Sequence, residues 1–172
     1  DQIDILRLFE EDIPTFDFAA ASAKYNIMHQ KGHSHAEKRI WERIEYFIEH
    51  FKSADKYVFA VPMWNFSIPW RLKQYIDCIV QPGYTFTIDE QGNYKGLVGD
   101  KPVFLAYASG GDYSQNPQLD RQKPYMELIL GFMGLTDLRS EVVQPTMMGG
   151  SEQANKLKDS AIEKARKTAA DF

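Results

Sequence analysis

Residues 57–61 read Tyr-Val-Phe-Ala-Val, an apolar run without alternation in which Val58 and Val61 are β-branched. A strand of this kind carries apolar side chains on both faces, so it belongs in a parallel α/β sheet covered on both sides. Pro62 removes a backbone donor and closes the ladder, and Ser67 with Pro69 opens a helix in which Leu72, Tyr75, Ile76 and Ile79 recur at helical spacing. Between strand and helix lies the turn Met63-Trp64-Asn65-Phe66. A turn at the carboxyl end of a parallel strand sits where open α/β sheets bind ligands. Trp64 and Phe66 offer apolar walls, while Asn65 and the loop amides can reach ring heteroatoms, so the turn suits a flat aromatic ligand with polar edges. The competing reading is a turn whose aromatics plug the core.

A second continuous apolar run, residues 102–107 (PVFLAY), predicts a second buried parallel strand ending in Ala108-Ser109-Gly110-Gly111. Paired glycines let backbone amides approach a ligand closely. Two successive parallel strands that each end in such a loop define one crevice. Residues 138–143 predict a third strand, followed by the loop 145–150, and Ser151 is placed to cap a last helix running towards Ala170 with Leu157, Ala161, Ile162 and Ala165 inward. Two more helices are expected. Over 36–51 the residues Ile40, Trp41, Ile44, Phe47, Ile48 and Phe51 form one stripe, and over 124–133 Met126, Ile129, Leu130 and Met133 do the same before Gly134. Residues 3–8, broken by Asp4 and Arg7, read as a half-exposed edge strand, and 10–16 as a loop. From Tyr84 the chain alternates as a short exposed strand and turns at 89–93. The excursion to Gly99, with apolar Tyr84, Phe86 and Leu97, is long enough to cover a partner subunit or roof the cleft. This alternation of strand and helix gives the fold class: α/β, a doubly wound parallel sheet with helices on both faces, in one domain over residues 1–172.

Composition narrows the function. A formal net charge of −4 argues against nucleic acid as a partner, and no apolar run approaches the ~20 residues of a membrane span. A cytoplasmic location is the expectation. Cys78 is the only cysteine, which excludes an internal disulfide, and its place on the Leu72–Ile79 face makes it a packing residue rather than a nucleophile. His29, His33 and His35 are close together, but Gly32 and Ser34 break any helix that would align them, so no metal site is expected. No strand is followed by Gly-x-Gly-x-x-Gly, and no P-loop or hydrolase triad is evident. With no reactive side chain of its own, the chain must leave the chemistry to a cofactor.

The segment VPMWNFSIPWRLKQYID closely resembles the flavin-contacting segment of FMN-dependent NADH-azoreductases and NAD(P)H:quinone oxidoreductases of flavodoxin-like fold. The resemblance continues through Gly83-Tyr84-Thr85-Phe86, Gly96-Leu97-Val98, Ala108-Ser109-Gly110-Gly111 and Leu130-Gly131-Phe132-Met133-Gly134. It implies FMN as cofactor, NADH or NADPH as co-substrate, and a quinone, azo compound or other aromatic acceptor reduced by two-electron, ping-pong hydride transfer. It also implies a homodimer whose site is closed by the neighbouring subunit. Met63, Trp64, Asn65 and Phe66 would line one side of the flavin ring, Ala108, Ser109, Gly110 and Gly111 would approach its pyrimidine end, and Tyr113 would be an auxiliary polar ring beside it. Ala108 and Ser109 stand where the family commonly has serine and arginine, which removes a cationic donor. A flavin reductase and a non-catalytic flavin-binding electron-transfer module are the alternatives. Against the family's strand order 2-1-3-4-5, the chain begins at the second strand, so the first strand, phosphate loop and first helix are expected to be missing and residues 57–61 to have an unpaired edge.

Overall fold

The computed structural model describes residues 2–172. In chain order the elements are α1 (Phe18–Met28), α2 (His35–Ser53), β1 (Tyr57–Pro62), α3 (Trp70–Ile79), β2 (Phe86–Ile88), β3 (Tyr94–Gly96), β4 (Val103–Ala108), α4 (Gln122–Phe132), β5 (Leu138–Val143) and α5 (Gly150–Ala169). The two apolar runs and the third expected strand pair in parallel in the order β1-β4-β5, with Tyr57 opposite Val103 and Val103 opposite Leu138. Their carboxyl ends therefore line up at Pro62, Ala108 and Val143.

One face of the sheet holds the core. Tyr57, Val61, Val103, Leu105 and Tyr107 point into it, where the α2 stripe of Trp41, Ile44, Phe47, Ile48 and Phe51 meets Leu72, Tyr75, Ile76 and Ile79 of α3. Phe51 stacks on Tyr57 at 4.6 Å and Phe47 meets Tyr75 edge-on at 5.9 Å, tying α2 to both β1 and α3. Truncating Phe47 to alanine there would cost about 3–5 kcal/mol. Trp41 is a core residue, as its place in the stripe predicts, and its indole N–H donates to the Tyr84 hydroxyl at 3.2 Å. Cys78 is fully buried; its thiol donates to the Pro14 carbonyl, and burial pushes its pKa up to about 12.

The opposite face departs from expectation. Val58 is 71% exposed and Ala60 is also open, so β1 alternates instead of being covered on both sides. The carboxyl end of α5 lies over this face, with Ile162, Ala165, Ala169 and Phe172 beside Val58 and Phe104. The α5 residues named as inward, Leu157, Ala161, Ile162 and Ala165, are at most half-buried.

Residues 3–8 form no strand, correcting the expectation of an edge strand there. Among the described residues no strand lies beside them, and their neighbourhood is held by side chains instead. Arg71 donates to the carbonyls of Leu8 (2.7 Å) and Glu11, and Gln74 to those of Ile13 (2.9 Å) and Pro14 (3.1 Å). The expected unpaired edge is present: β1 bonds only to β4 among the described residues.

Three helix starts differ from the sequence reading. Ser34, not Ala36, marks the start of α2: its hydroxyl accepts from the Glu37 amide, and the Glu37 carboxylate accepts from the Ser34 amide. Pro69 precedes α3 with no side-chain cap, and Gly149 at φ 84° precedes α5, so neither Ser67 nor Ser151 is a cap. Helix α1 had no counterpart in the sequence reading; Asp17 caps it, and Ala20 and Ala23 let it lie close on α2. The excursion after Tyr84 forms the antiparallel hairpin β2-β3, whose Phe86 packs on Phe132 of α4 at 4.6 Å. Gly96 abuts Gly134 so closely that a Cβ on Gly96 would lie 2.2 Å from the Gly134 nitrogen.

Candidate cofactor site

The site is built from the loops that leave β1 and β4. The Met63 amide donates to the Ala108 carbonyl at 2.7 Å, extending the parallel ladder one step and bringing the two loops side by side. Beyond Met63 the chain reverses at once. Trp64 and Ser67 exchange backbone bonds of 2.8 and 3.0 Å, and the two residues between them, Asn65 and Phe66, have φ of 47° and 69°. Two successive positive φ values are the signature of a type I′ turn, where asparagine sits readily and a bulky aromatic is strained. Trp64 is 44% and Phe66 48% exposed, so these rings do not plug the core. The Arg121 amide donates to the Phe66 carbonyl at 2.8 Å, pinning the turn from the far side.

Beyond Ala108 the second loop turns its next two carbonyls towards residues 146 and 147. Ser109 is buried and its amide donates to the Val143 carbonyl at 3.2 Å. Its own carbonyl accepts from the amide and hydroxyl of Thr146, at 2.9 and 3.0 Å, and the Gly110 carbonyl accepts from the Met147 amide at 3.2 Å. The Ser109 hydroxyl lies within reach of the Gly111 carbonyl (2.9 Å) and the Gln144 carboxamide oxygen (3.0 Å). Both glycines sit in close quarters: a Cβ on Gly110 would stand 3.0 Å from Met147 Sδ and one on Gly111 3.2 Å from the Tyr113 hydroxyl, so either side chain would have to shift slightly to admit it. Tyr113 reaches back to the ring of Phe66 and joins the two loops.

The amides of Asn65, Phe66, Gly110, Gly111 and Asp112 donate no hydrogen bond among the described residues. Unclaimed donors beside exposed aromatic rings fit a planar ring system with acceptor atoms along its edge. They suit the ring portion of a flavin. Asp112 stands at the rim, where hydrogen bonds from Ser114, its backbone amide first, hold the carboxyl below its ordinary range. Beneath the loop, burial first and the charges of Glu127 and Asp120 second push the Tyr107 phenol upward, so this hydroxyl stays neutral.

Sequence and structure have known counterparts. A family model described as flavodoxin-like fold matches residues 1–169. The chain belongs to this flavodoxin-like family. A member from Nitratidesulfovibrio vulgaris named FMN-dependent NADH:quinone oxidoreductase is 48% identical over 175 residues, spanning 100% of this chain and 83% of the relative. Among solved flavodoxin-like structures, azoreductase from Bacillus anthracis strain Sterne superposes with a TM-score of 0.89 at 28% identity, covering 97% of this chain and 80% of that one. An FMN-dependent NADH-azoreductase from Bacillus anthracis strain Ames Ancestor, in complex with FMN, gives a TM-score of 0.78 at 26% identity, over 92% of this chain and 78% of the other.

Within this flavodoxin-like frame, the residues named from sequence, Met63 to Phe66, Ala108 to Gly111, and Tyr113, come together at one end of the sheet. Two features lay outside that reading. On the outer side of the turn an open cleft of about 400 Å³ is lined by Trp64, Asn65, Ser67, Ile68, Trp70, Lys73 and Tyr125, with Phe9 packed on both tryptophans. Trp70 had a signal, being a tryptophan off the apolar stripe of its helix. Gln144 had none.

Proposed function

We propose that this chain is an FMN-dependent oxidoreductase that draws reducing equivalents from NADH or NADPH and passes two electrons to a quinone or an azo compound. One observation carries the reading: the unclaimed amides at the ends of β1 and β4 stand beside exposed aromatic rings, in a chain 48% identical to a named FMN-dependent NADH:quinone oxidoreductase. FMN, when bound, supplies the two-electron exchange. The protein's part is to hold and tune it. Met63, Trp64, Asn65 and Phe66 would line one side of the ring, and Ala108, Ser109, Gly110 and Gly111 would meet its pyrimidine end, with Tyr113 closing the gap between the loops. Amide donors aimed at that edge favour a ligand whose charge becomes more negative, as oxyanion donors do. A ring held from one side would leave the other open to nicotinamide and acceptor in turn, the arrangement that ping-pong kinetics requires.

The working form is a cytoplasmic homodimer. Phe9, Trp64 and Trp70 are 59%, 44% and 60% exposed in one cluster beside the site, a surface that a second copy would cover. The test is direct. FMN is added to the purified protein, and NADH and then a quinone follow anaerobically. The expected result is a perturbed visible band that bleaches with NADH and returns with quinone. Bound flavin that stays oxidised would leave only a binding module, and release of reduced flavin would indicate a flavin reductase. A monomeric mass by light scattering at micromolar concentration would reject the dimer.

A further inference from the structure

The turn after β4 is held from the segment that leaves β5, by backbone bonds from Thr146 and Met147 and by the side chain of Gln144. In a trans peptide the C=O of one residue and the N–H of the next point in opposite directions. The carbonyls of Ser109 and Gly110 are turned towards residues 146 and 147, and that of Gly111 towards the Ser109 hydroxyl. The N–H groups of Gly110, Gly111 and Asp112 must therefore point the other way, and they carry no hydrogen bond among the described residues. Three successive unclaimed amides in one turn are donors available to a ligand at the strand end. Backbone bonds from Thr146 and Met147 fix the turn's first two peptides. The third peptide is held by the Ser109 hydroxyl, whose one proton is shared between the Gly111 carbonyl at 2.9 Å and the Gln144 carboxamide oxygen at 3.0 Å, and at the exit of the turn that same oxygen lies 3.5 Å from the Tyr113 nitrogen. One acceptor thus bridges the first and last residues of the turn.

We propose that Gln144 is a positioning residue that holds the turn from Ser109 to Tyr113 so that the amides of Gly110, Gly111 and Asp112 face the electron-rich edge of the bound ring, and that it thereby raises the ring's midpoint potential. The inference rests on the FMN reading above. Gln144 itself touches no reacting atom; it acts through Ser109 and Tyr113. Because the donors gain most when the ring is reduced and anionic, loosening them weakens reduced flavin more than oxidised flavin.

The test compares Gln144→Met, which keeps the bulk and removes the acceptor, with Gln144→Glu, whose carboxylate oxygen can accept from the same two donors. Two readouts are used: amide hydrogen exchange at Tyr113 in the flavin-free protein, and the midpoint potential of bound FMN. Gln144→Met is expected to exchange Tyr113 at least tenfold faster at unchanged thermal stability. Reduced FMN is expected to lose about tenfold more affinity than oxidised FMN, a fall of about 30 mV for a two-electron couple. Gln144→Glu is expected to restore Tyr113 protection. An unmoved potential and unmoved exchange in Gln144→Met would overturn the inference. So would an equal loss for both flavin states together with a lower melting temperature, which marks a merely structural role. If the wild-type protein fails to bind FMN, the functional reading falls, and Tyr113 exchange alone still decides whether Gln144 holds the turn.

Discussion

The rings of Phe66 and Tyr113 meet edge to face across the two strand-end loops, with centroids 5.9 Å apart and planes inclined at 81°. Phe66 reaches that contact from a φ of 69°, where a non-glycine residue stores about 1–3 kcal/mol of strain. Replacing it with glycine removes the strain and also the contact, itself worth about 0.5–1.5 kcal/mol. The Phe66→Gly protein is therefore expected to unfold within about 1 kcal/mol of the wild type yet bind FMN about two- to tenfold more weakly. Urea titration and flavin fluorescence check the two halves; unchanged FMN affinity would remove Phe66 from the site.

Asn65 precedes it at φ 47° and is exposed, so its carboxamide is not part of the core. Asn65→Gly keeps the left-handed turn at no steric cost and deletes only that carboxamide. We expect an unchanged melting temperature and a loss of about 0.5–1.5 kcal/mol in FMN binding or a matching slowing of reduction by NADH. Asn65→Ala should show the same binding loss with turn strain added. Full FMN affinity and full NADH reduction in the glycine variant would count against the loop assignment.

Gly96→Ala places a methyl 2.2 Å from the Gly134 nitrogen, a backbone atom that cannot swing aside. Separation of β3 from the end of α4 is the only relief. A loss of about 3 kcal/mol is expected, read as a lower urea midpoint, and a midpoint equal to wild type would mean that hairpin and helix are not in contact.

Glu37 joins two helices, accepting from the Ser34 amide at 2.7 Å and from the Ser22 hydroxyl of α1 at 2.7 Å. The Ser34 backbone bond first, then the Ser22 and Ser34 hydroxyls, lower its pKa in the folded state. The unfolded chain therefore binds the proton more readily. Stability from this group is complete above the ordinary glutamate range and is lost as pH falls through the lowered folded value. In urea titrations from pH ~5 down to ~3, Glu37→Gln should flatten part of the wild-type decline. Parallel curves for the two proteins would refute the linkage.

Strands β1 and β4 were legible because they are apolar runs bounded by proline or glycine, and α2 because its stripe has helical period. Helix α1 was not: Ala20 and Ala23 are buried by close approach to α2, and an alanine-rich stretch without a polar face shows no period. The site residues were legible as two motifs at strand ends, but their conformation was not. Asn-Phe is not the Asn-Gly pair that marks a type I′ turn, and only the reciprocal bonds of Trp64 and Ser67 reveal one. Gln144 becomes meaningful only when β5 is laid beside β4, a relationship between positions 35 residues apart. The exposed face of β1 likewise could not be read from its composition, since the same apolar run serves a strand covered on one side or on two.

The carbonyl clamp that α3 places on residues 8–14 makes a coil behave unlike a tail. Arg71, Gln74 and Cys78 hold the carbonyls of Leu8, Glu11, Ile13 and Pro14, so this stretch has no slack backbone for a protease to draw into its groove. Cleavage must wait until those side chains let go, and they let go only when α3 loosens. Limited proteolysis at residues 8–14 would then run as a clock on α3, the helix that follows the Trp64 turn, and a ligand that steadies the turn would slow cutting at a distance along the chain.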